Sequence, residues 1–388
     1  MLEHEEQATP RLIFASERSP RWIRTAAGAA AVIAVIAVIA VIAVIAVIAV
    51  NLVAPTGGGK SRLPRRVVTT GLPRGRAGRL SMSTPSSLAG PLSGLSLYVN
   101  PASPAVAAEV SLTDRHETTE ARLIERIASQ PVGTWFTAGS SQLTGQVSSL
   151  VLAADRVAKV PLLVAYYIAD RDCGGYSSGG APSARAYVEW IAQFAAGLAG
   201  EPAIVILEPD AVAQAVKGCM SGAAASARVA LLAQAVTILR RDRRAFIFID
   251  AGNSAWVSNL AALASALRAA GIAHTSGFAL NVANFQSTAA SIAYGTRLSR
   301  LLHGAHFVID TGRNGDGPYL DAANGPIWCN PPGRALGRQP STITGNKLID
   351  AYLWIKPPGD SDGSCRPGAP AAGQWWLSYA LSLAANRR

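Results

Sequence analysis

"AIVILEPDAV", residues 203–212, runs five apolar residues directly into Glu208, Pro209 and Asp210. An uninterrupted apolar run of this length is typical of a strand that is buried on both faces of a parallel sheet. The proline restricts the backbone of the turn that follows the strand. The stretch therefore predicts a buried parallel strand whose end directs two carboxylates into a cleft.

Short apolar runs of the same kind recur along the chain. We interpret seven of them as strands: "LSLYVN" (95–100), "VPLLVAYYIA" (160–169), "AIVILEP" (203–209), "AFIFIDA" (245–251), "GFALNVA" (277–283), "HFVIDTG" (306–312) and "AYLWIKP" (351–357). "VGTWF" at 132–136 could add an eighth strand. Patterns typical of helices occur at 185–199, 223–241, 258–270 and 287–302. This alternation predicts an α/β fold, either a barrel of parallel strands or a doubly wound sheet.

Composition and charge limit the class of protein. With 388 residues and 49% hydrophobic content, the chain can bury a large core, so it is not disordered throughout. Residues 1–92 hold 11 Lys and Arg against 4 Asp and Glu, so most of the formal net charge of +11 lies outside the strand-rich region. A nucleic-acid-binding protein needs a basic face on its folded domain, and we therefore expect no nucleic-acid partner.

The N-terminal region predicts a contact with a membrane. Residues 1–25 are a charged tail, and 26–53 form a hydrophobic segment with the repeat "AVIAVIAVIAVIAVIAVIAV", long enough for the roughly 20 apolar residues of a membrane-crossing helix. Residues 54–92 are rich in Gly, Pro, Ser and Arg, as in a flexible linker. We expect export, with the folded domain, 93–388, extracellular or on the cell surface. Both a cleaved signal and an uncleaved membrane anchor stay open.

All the cysteines lie beyond the apolar repeat: Cys173, Cys219, Cys329 and Cys365. An even number of cysteines in an exported chain favours two disulfides, and three pairings are open from the residues alone. Zinc is the alternative. The sequence has no CxxC pair and its nearest cysteines are 36 residues apart, so the ligand spacing of a zinc knuckle is missing and we expect no metal.

Polar side chains follow the predicted strands at their C-terminal ends: Asn100, Asp170, Asp172, Glu208, Asp210, Asp250, Asn281, Asn284, Asp310, Lys356, Asp360 and Asp362. In parallel α/β folds these ends form one edge, where loops converge on a binding site. Carboxylates brought together raise one another's pKa, so one of them can stay protonated as a general acid. The sequence offers no convincing Ser-His-Asp arrangement and no phosphate-binding loop between a strand and a helix, which argues against a serine hydrolase and a nucleotide-binding enzyme.

Three tryptophans, Trp135, Trp256 and Trp328, lie in or beside the predicted cleft loops. Each of them alone is more often a core aromatic residue. Together with the acids they indicate a carbohydrate polymer, because flat rings stack on sugars. The matching chemistry is protonation of a glycosidic oxygen by one carboxylic acid and activation of water by another carboxylate.

Seven motifs resemble, in order, those of glycoside hydrolase family 6, the cellulases that act on β-1,4-glucans: "YYIADRDCGGYSSGGAP", "VILEPDAV", "FIDAGNSAW", "LNVANF", "DTGRNG", "WCNPPGRALG" and "LWIKPPGDSDGSC". The resemblance extends over 94–388. It implies a single catalytic domain folded as a distorted parallel (β/α) barrel with outer helices, and hydrolysis with inversion at the anomeric carbon. It implies no cofactor and no metal. The implied partner is a β-1,4-glucan or a cello-oligosaccharide. We also expect the chain to be a monomer.

By position in these motifs, Asp210 resembles the proton donor and Asp362 the base. Asp172 resembles the acid that tunes the donor's pKa and stabilises developing positive charge. Tyr166 and Ser178 match positions that press on a distorted sugar and hold water. The other matches are cleft residues that bind sugar hydroxyls or order the acids, and stacking tryptophans: Asp250, Asn284, Arg313, Lys356, Asp360, Trp135, Trp256 and Trp328.

Two positions depart from the family pattern. Asn253 stands where His is usual in "DAGHS", and Asp360 stands where Glu is common in "PGE". Both changes alter groups that line the cleft, and neither touches the implied proton donor. The resemblance also implies two disulfides, Cys173 with Cys219 and Cys329 with Cys365.

The compact spacing between the motifs favours an open cleft and therefore an endo-1,4-β-glucanase. Three alternatives stay open. The chain could be a membrane-tethered glycan-binding protein with little or no turnover, which the two departures motivate. It could be an exo-acting cellobiohydrolase, which needs long loops that roof the cleft. It could also hydrolyse a different glucan, such as a mixed-linkage glucan, with the same acids.

Overall fold

The computed structural model describes residues 90–323 and 325–386. Seven strands within them form one parallel sheet in which the strands lie side by side in chain order. These strands are β1 (Thr134–Phe136), β2 (Leu162–Ala165), β3 (Ala203–Leu207), β4 (Ala245–Asp250), β5 (Gly277–Leu280), β6 (Phe307–Asp310) and β7 (Ile349–Leu353). The predicted charged tail, the hydrophobic segment and most of the linker lie outside the described residues, and these boundaries stay predictions.

Helices precede and connect the strands: α1 (Pro104–Asp114), α2 (Thr118–Ala128), α3 (Leu143–Asp155), α4 (Ala184–Gly197), α5 (Ala211–Lys217), α6 (Gly222–Leu239), α7 (Leu260–Ala269), α8 (Thr288–Leu301) and α9 (Leu377–Ala385). Side-chain oxygens accept a backbone N–H at the start of five of them: Ser103, Ser183, Ser221, Asn259 and Ser287. The predicted helices correspond to α4, α6, α7 and α8 and are confirmed.

The sheet curls into a barrel that closes at a single point. β1 and β7 do not pair along their length, but Val132 and Trp354 form a parallel bridge next to their ends. The Gly133 N–H donates to the Trp354 carbonyl at 2.9 Å, and a side chain at Gly133 would collide with the carbonyl of Ile355. This incomplete closure confirms the distorted barrel and excludes the doubly wound sheet.

Both faces of the strands are buried, as the sequence predicted. Along β3, Ala203, Val205 and Leu207 belong to the core layer between the sheet and the outer helices. Ile204 and Ile206 alternate with them and fill the interior of the barrel. A strand that is covered on both faces has no polar position until it ends, which explains the uninterrupted apolar run.

One predicted strand is wrong. The segment 95–100 makes only one parallel bridge, from Leu97 to Val160, and the chain then turns at Asn100 into helix α1. The helix has a proline in its first turn, and Pro101 has no N–H to continue a ladder. The segment 132–136, proposed as an eighth strand, supplies β1 instead, so the sheet has seven strands.

Helix α6 is apolar enough and long enough to cross a membrane, with a mean hydropathy of 1.5 over 18 residues. Its side chains Leu232, Val236 and Leu239 are nevertheless buried in the layer between the sheet and the helices. The helix also buries Arg228. We therefore interpret α6 as an outer helix of the barrel.

Two disulfides tie together loops at the carboxyl end of the sheet. Cys173 is bonded to Cys219, and Cys329 is bonded to Cys365, with Cα–Cα distances of 6.2 and 6.3 Å. Both pairings are those that the family resemblance implied. They close chain segments of 46 and 36 residues, and each contributes on the order of 3–4 kcal/mol by constraining the unfolded chain.

Candidate active site

Asp210 follows strand β3 and stands at the N-terminus of helix α5. Its side chain makes no capping hydrogen bond, so the carboxyl group is not used to cap the helix. Its backbone N–H donates to Oδ2 of Asp250, at the end of β4, at 2.8 Å. The φ angle of Asp210 is +70°, a left-handed conformation that few non-glycine residues adopt. The turn thus fixes where this carboxyl group lies.

The pKa of the Asp210 carboxyl is raised well above its usual value of 3.8. Burial is the largest cause, and the negative charges of Asp250 and Asp172 add to it, while the Lys356 ammonium opposes it. A carboxylic acid with this surrounding keeps its proton near neutral pH and can donate it. Asp210 therefore has the properties of a general acid.

Glu208 does not share the cleft with Asp210, contrary to the sequence prediction that both carboxylates point into it. Its side chain is fully buried and accepts backbone N–H groups of Tyr167 and Ile168 at 3.0–3.1 Å. Burial raises its pKa to about 7, and the two backbone donors oppose that rise. Glu208 therefore connects β3 to the segment that follows β2 and has a structural role.

Asp250 is also fully buried and lies between the backbone of Asp210 and that of Gly252, which donates at 3.1 Å. Burial raises its pKa to about 7, the backbone N–H groups oppose this, and the charge of Asp310 contributes. Two neighbouring acids with raised pKa values share protons at the same site. Asp250 thus orients Asp210 through its N–H and modulates the charge around it.

Asp172 lies in a short 3₁₀ turn, Asp172–Gly174, after strand β2. Its Oδ2 accepts the backbone N–H of Ser177 at 2.8 Å and the Ser177 hydroxyl at 2.9 Å. The Ser177 hydroxyl in turn lies 3.1 Å from the hydroxyl of Tyr166. Burial, followed by the charge of Asp210, raises the Tyr166 pKa far above its usual range, so this phenol stays protonated. Asp172, Ser177 and Tyr166 form one hydrogen-bonded chain.

The neighbouring serine, Ser178, is exposed, and its backbone N–H donates to the Gly175 carbonyl. Its implied role in holding water stays a prediction, because the serine that contacts Asp172 is Ser177. Arg171, which the sequence analysis missed, secures the same loop: it donates to the carbonyls of Ser177 and Tyr166 and lies over the Tyr166 ring.

Asp362 follows strand β7 and its side chain is 6% exposed. Its Oδ2 accepts from the Arg313 guanidinium at 2.8 Å and from the backbone N–H of Asn330 at 3.0 Å. Its Oδ1 is 3.9 Å from Nζ of Lys356, beyond hydrogen-bond distance. One oxygen is thus held by two donors, and the other lies near the Lys356 ammonium without a hydrogen bond to it.

Lys356 and Arg313 place two buried cations among these acids. The Lys356 ammonium donates to the Ser361 carbonyl at 3.0 Å and lies 5.4 Å from the Trp135 ring centroid. Burial lowers the pKa of Lys356, although the charge of Asp362 opposes this. Arg313 also donates to the Ala283 carbonyl. The cations balance the carboxylates that would otherwise repel one another in a buried site.

Aromatic side chains surround the acids. Trp135 packs edge-on against Tyr166, with ring centroids 5.3 Å apart, and donates its indole N–H to the Ile355 carbonyl. Trp256 lies against Gly252, beside Asp250. Two tryptophan rings thus lie next to the acid cluster, and their implied stacking on sugars stays a prediction.

Trp328 is 45% exposed and lies 6.2 Å, between ring centroids, from Tyr176, which is 48% exposed. Tyr176 belongs to the loop that carries Asp172. It packs on Gly363, next to Asp362, where any side chain would collide with it. The loops of these two acids therefore touch. Tyr176 was missed because its position after Cys173 has no signal of its own in the sequence.

The profile of the family described as "Glycosyl hydrolases family 6" matches residues 92–387. The chain belongs to this family. Endoglucanase A of Cellulomonas fimi is 44% identical over 274 residues, which are 70% of this chain and 57% of that protein. Endoglucanase A of Thermobispora bispora is 39% identical over 306 residues, 77% of this chain and 65% of that protein. The chain thus spans less than two thirds of the length of either relative.

Solved structures show the same fold. The endoglucanase Cel6 from Mycobacterium tuberculosis, in complex with methyl-cellobiosyl-4-deoxy-4-thio-β-D-cellobioside, is 42% identical with a TM-score of 0.72. The match covers 77% of this chain and 99% of that one. The catalytic core of the cellobiohydrolase Cel6A from Chaetomium thermophilum is 26% identical, with a TM-score of 0.66, and the match covers 77% and 99% of the two chains.

The two departures from the family 6 pattern have different surroundings. Asn253 is buried and its Oδ1 accepts the Ala255 N–H at 3.1 Å, so it stabilises the turn that leads to Trp256. Asp360 lies near Lys356, and burial raises its pKa to about 6 despite the opposing charge of that lysine. Among the described residues, neither side chain forms a hydrogen bond with Asp210.

The remaining predicted residue, Asn284, accepts the backbone N–H of Phe285 and the side-chain amide of Gln286. The side-chain oxygen of Asn284 thus accepts hydrogen bonds within its own loop. Its implied contact with a sugar stays a prediction. Within the described residues no group of three His, Cys, Asp or Glu is placed to hold a metal ion.

Proposed function

We propose that the chain is an endo-1,4-β-glucanase that hydrolyses internal bonds of cellulose or a related β-glucan with inversion. The observation that carries the proposal is the environment of Asp210. Its carboxyl lies at the open end of the barrel, its pKa is raised by burial and by Asp250 and Asp172, and its side chain has no structural hydrogen bond as a helix cap. The endoglucanase names of the relatives support the substrate class.

In this mechanism Asp210 donates its proton to the glycosidic oxygen while the bond from that oxygen to the anomeric carbon breaks. A water molecule attacks the opposite face of the sugar and passes a proton towards Asp362, whose Oδ1 does not accept from Arg313 or Asn330. Asp172, held by Ser177, stabilises the positive charge that develops on the sugar ring. After product release, Asp362 gives its proton to solvent and Asp210 takes one up from solvent, which restores both groups for the next turnover.

The chain acts as a monomer and is exported in this proposal. Its hydrophobic segment, 26–53, either anchors the domain to a membrane or is removed as a signal. The sequence of that segment supports both forms. The half-exposed pair Tyr176 and Trp328 supports an open cleft, in which a chain can bind along its length and be cut internally.

The test uses soluble carboxymethyl cellulose, with viscosity and reducing ends followed together. Wild type lowers viscosity steeply per reducing end formed. Asp210→Asn keeps the shape of the side chain but cannot donate the proton, and kcat falls by at least about a hundredfold. Asp114→Asn, an exposed acid on α1, is the matched control and keeps wild-type kcat.

Two outcomes contradict the proposal. Slow loss of viscosity with steady release of small sugars indicates attack from chain ends, as in a cellobiohydrolase. A folded protein that binds cello-oligosaccharides but forms no reducing ends indicates a glycan-binding protein. Mixed-linkage glucan, assayed in parallel, reports whether a different polymer is preferred.

A further inference from the structure

The end of the barrel where the strands begin lies opposite the cleft and carries many cations. Helix α6 ends at Leu239, and the loop into β4 then reads "RRDRR", residues 240–244. Arg240, Arg241 and Arg243 are exposed, and none of them has an ion-pair partner among the described residues. Other cations precede further strands: Arg156 and Lys159 come before β2, and Lys347 before β7.

Stabilisation of helix C-termini accounts for only part of this charge. Arg268 and Arg300 lie in the last turns of α7 and α8, where a cation interacts favourably with the helix dipole. Arg241, Arg243 and Lys347 lie in loops beyond any helix. Their concentration at one end of the barrel therefore needs another explanation.

The acids at this end offset only part of the positive charge: Asp155, the last residue of α3, is next to Arg156 in the chain, but Arg240, Arg241 and Arg243 form no ion pair within the described residues. Glu201 pairs with Arg244. Asp242 accepts backbone N–H groups of Gly200 and Arg244, and the Asp350 carboxylate is buried against His306 at 2.7 Å. We call this surface, made of the loops that precede the strands, the basic end. It contrasts with the cleft, where Asp172, Asp210, Asp250 and Asp362 gather.

Large apolar side chains are exposed among these cations. Val157 follows α3, Leu301 ends α8 and Ile343 lies in the loop before β7, with exposed fractions of 56%, 42% and 74%. Cations interspersed with exposed apolar groups are the composition of surfaces that bind anionic bilayers: the cations contact headgroups and the apolar groups enter the interface.

The chain also enters the domain at the basic end. Gly90 packs against His306 and Asp350, at the starts of β6 and β7, and Leu97 bridges to Val160 just before β2. The residues before Gly90 include the apolar repeat at 31–50. The sequence thus carries a predicted membrane segment upstream of the point at which the described chain enters the basic end.

We propose that the basic end binds the surface of a bilayer that contains anionic phospholipid. The contact orients the barrel with its cleft away from the lipid and open to a polymer. It adds to any anchoring by the N-terminal segment and does not depend on the reaction that the cleft catalyses.

The experiment measures co-sedimentation of residues 90–388 with vesicles, so that the apolar repeat plays no part. The solved Mycobacterium tuberculosis chain, 99% of which matches 77% of this chain, is folded without a counterpart of most of the N-terminal residues, and we expect the same of residues 90–388. Vesicles of phosphatidylcholine alone are compared with vesicles of equal parts phosphatidylcholine and phosphatidylglycerol. We expect binding to the second kind only, and its loss when NaCl rises from roughly 0.1 M to roughly 1 M, since the Debye length falls from about 10 Å to about 3 Å.

Replacing Arg240, Arg241 and Arg243 with Gln weakens this binding on the order of a hundredfold, because each cation near an anionic surface contributes about fivefold. The matched control replaces Arg115, Arg122 and Arg185, exposed on other surfaces, and removes the same charge without weakening binding. Activity on soluble carboxymethyl cellulose, or thermal unfolding if no activity is found, reports that both variants are folded.

Three results would overturn the proposal. They are equal binding to both kinds of vesicle, equal weakening by both triple variants, and binding to a soluble anionic polymer such as dextran sulfate without binding to phosphatidylglycerol vesicles. The last result would assign the basic end to an anionic polymer. None of these outcomes changes the test of Asp210, so the two proposals fail separately.

Discussion

The buried carboxyl of Glu208 should make the stability of the domain fall as the pH rises. Its pKa rises from the usual 4.5 to about 7 in the folded protein. Because the unfolded chain loses this proton near pH 4.5 and the folded chain near pH 7, the folded state binds more protons between these values. The free energy of unfolding therefore decreases through that interval, with the full loss reached above pH 7.

The size of the effect follows from the same two pKa values. At 1.36 kcal/mol for each tenfold change in proton affinity, ionisation of Glu208 costs about 3 kcal/mol of stability above pH 7. Glu208→Gln resembles the protonated acid, since its amide oxygen can still accept from Tyr167 and Ile168. We expect the variant to be close to wild type at pH 5 and about 3 kcal/mol more stable at pH 8, a rise in Tm of roughly 5 °C.

Thermal unfolding of residues 90–388 at pH 5 and pH 8 measures this difference. Glu189→Gln, an exposed acid on α4 whose side chain is 59% exposed, is the matched control, and we expect its stability relative to wild type to be the same at pH 5 and pH 8. The reasoning is refuted if Glu208→Gln differs from wild type by the same amount at both pH values. Glu208 would then be ionised throughout, held so by its backbone donors.

Two further predictions concern the acids of the cleft. Asp250→Asn removes a charge that raises the Asp210 pKa, so the basic limb of the kcat/KM profile moves to lower pH; an unchanged limb would show that Asp250 does not influence the donor. Arg228→Met removes the donor to the carbonyls of Ala169 and Asp170. It lowers Tm by several degrees, with stability falling by about 2–4 kcal/mol, and it lowers kcat more than it raises KM. An unaltered kcat would exclude a role in positioning the Asp172 loop.

The fold was largely predictable because its signals are local. Apolar runs without alternation identify strands buried on both faces, and six of the seven interpreted strands are present as β2 to β7. The segment 95–100 has the same composition but too little room before Pro101 to form a ladder. The segment 132–136 has a weaker strand signal in the sequence, and yet it pairs with β2. Pairing depends on neighbours that composition does not reveal.

The sequence predicted at which strand ends the acids of the site lie, but not how their side chains are arranged there. Because parallel strands end at one edge, acids after several strands must meet there, and Asp172, Asp210, Asp250 and Asp362 do. Which oxygen faces which donor depends on backbone angles within short turns. The family resemblance supplied both disulfide pairings, which spacing alone had left open.

By itself, the sequence determined the α/β class, the apolar strands, the helices and the edge at which the acids gather, since each follows from periodicity along the chain. Only the tertiary structure decided that Glu208 is buried while Asp210, two residues away, lies in the cleft. Both have left-handed φ angles, +47° and +70°, so the regular alternation of a strand no longer relates them. The raised pKa of Asp210 and the charge of the basic end were likewise decided only by the tertiary structure. Both arise from residues far apart in the chain, and burial and charge depend on distances in space.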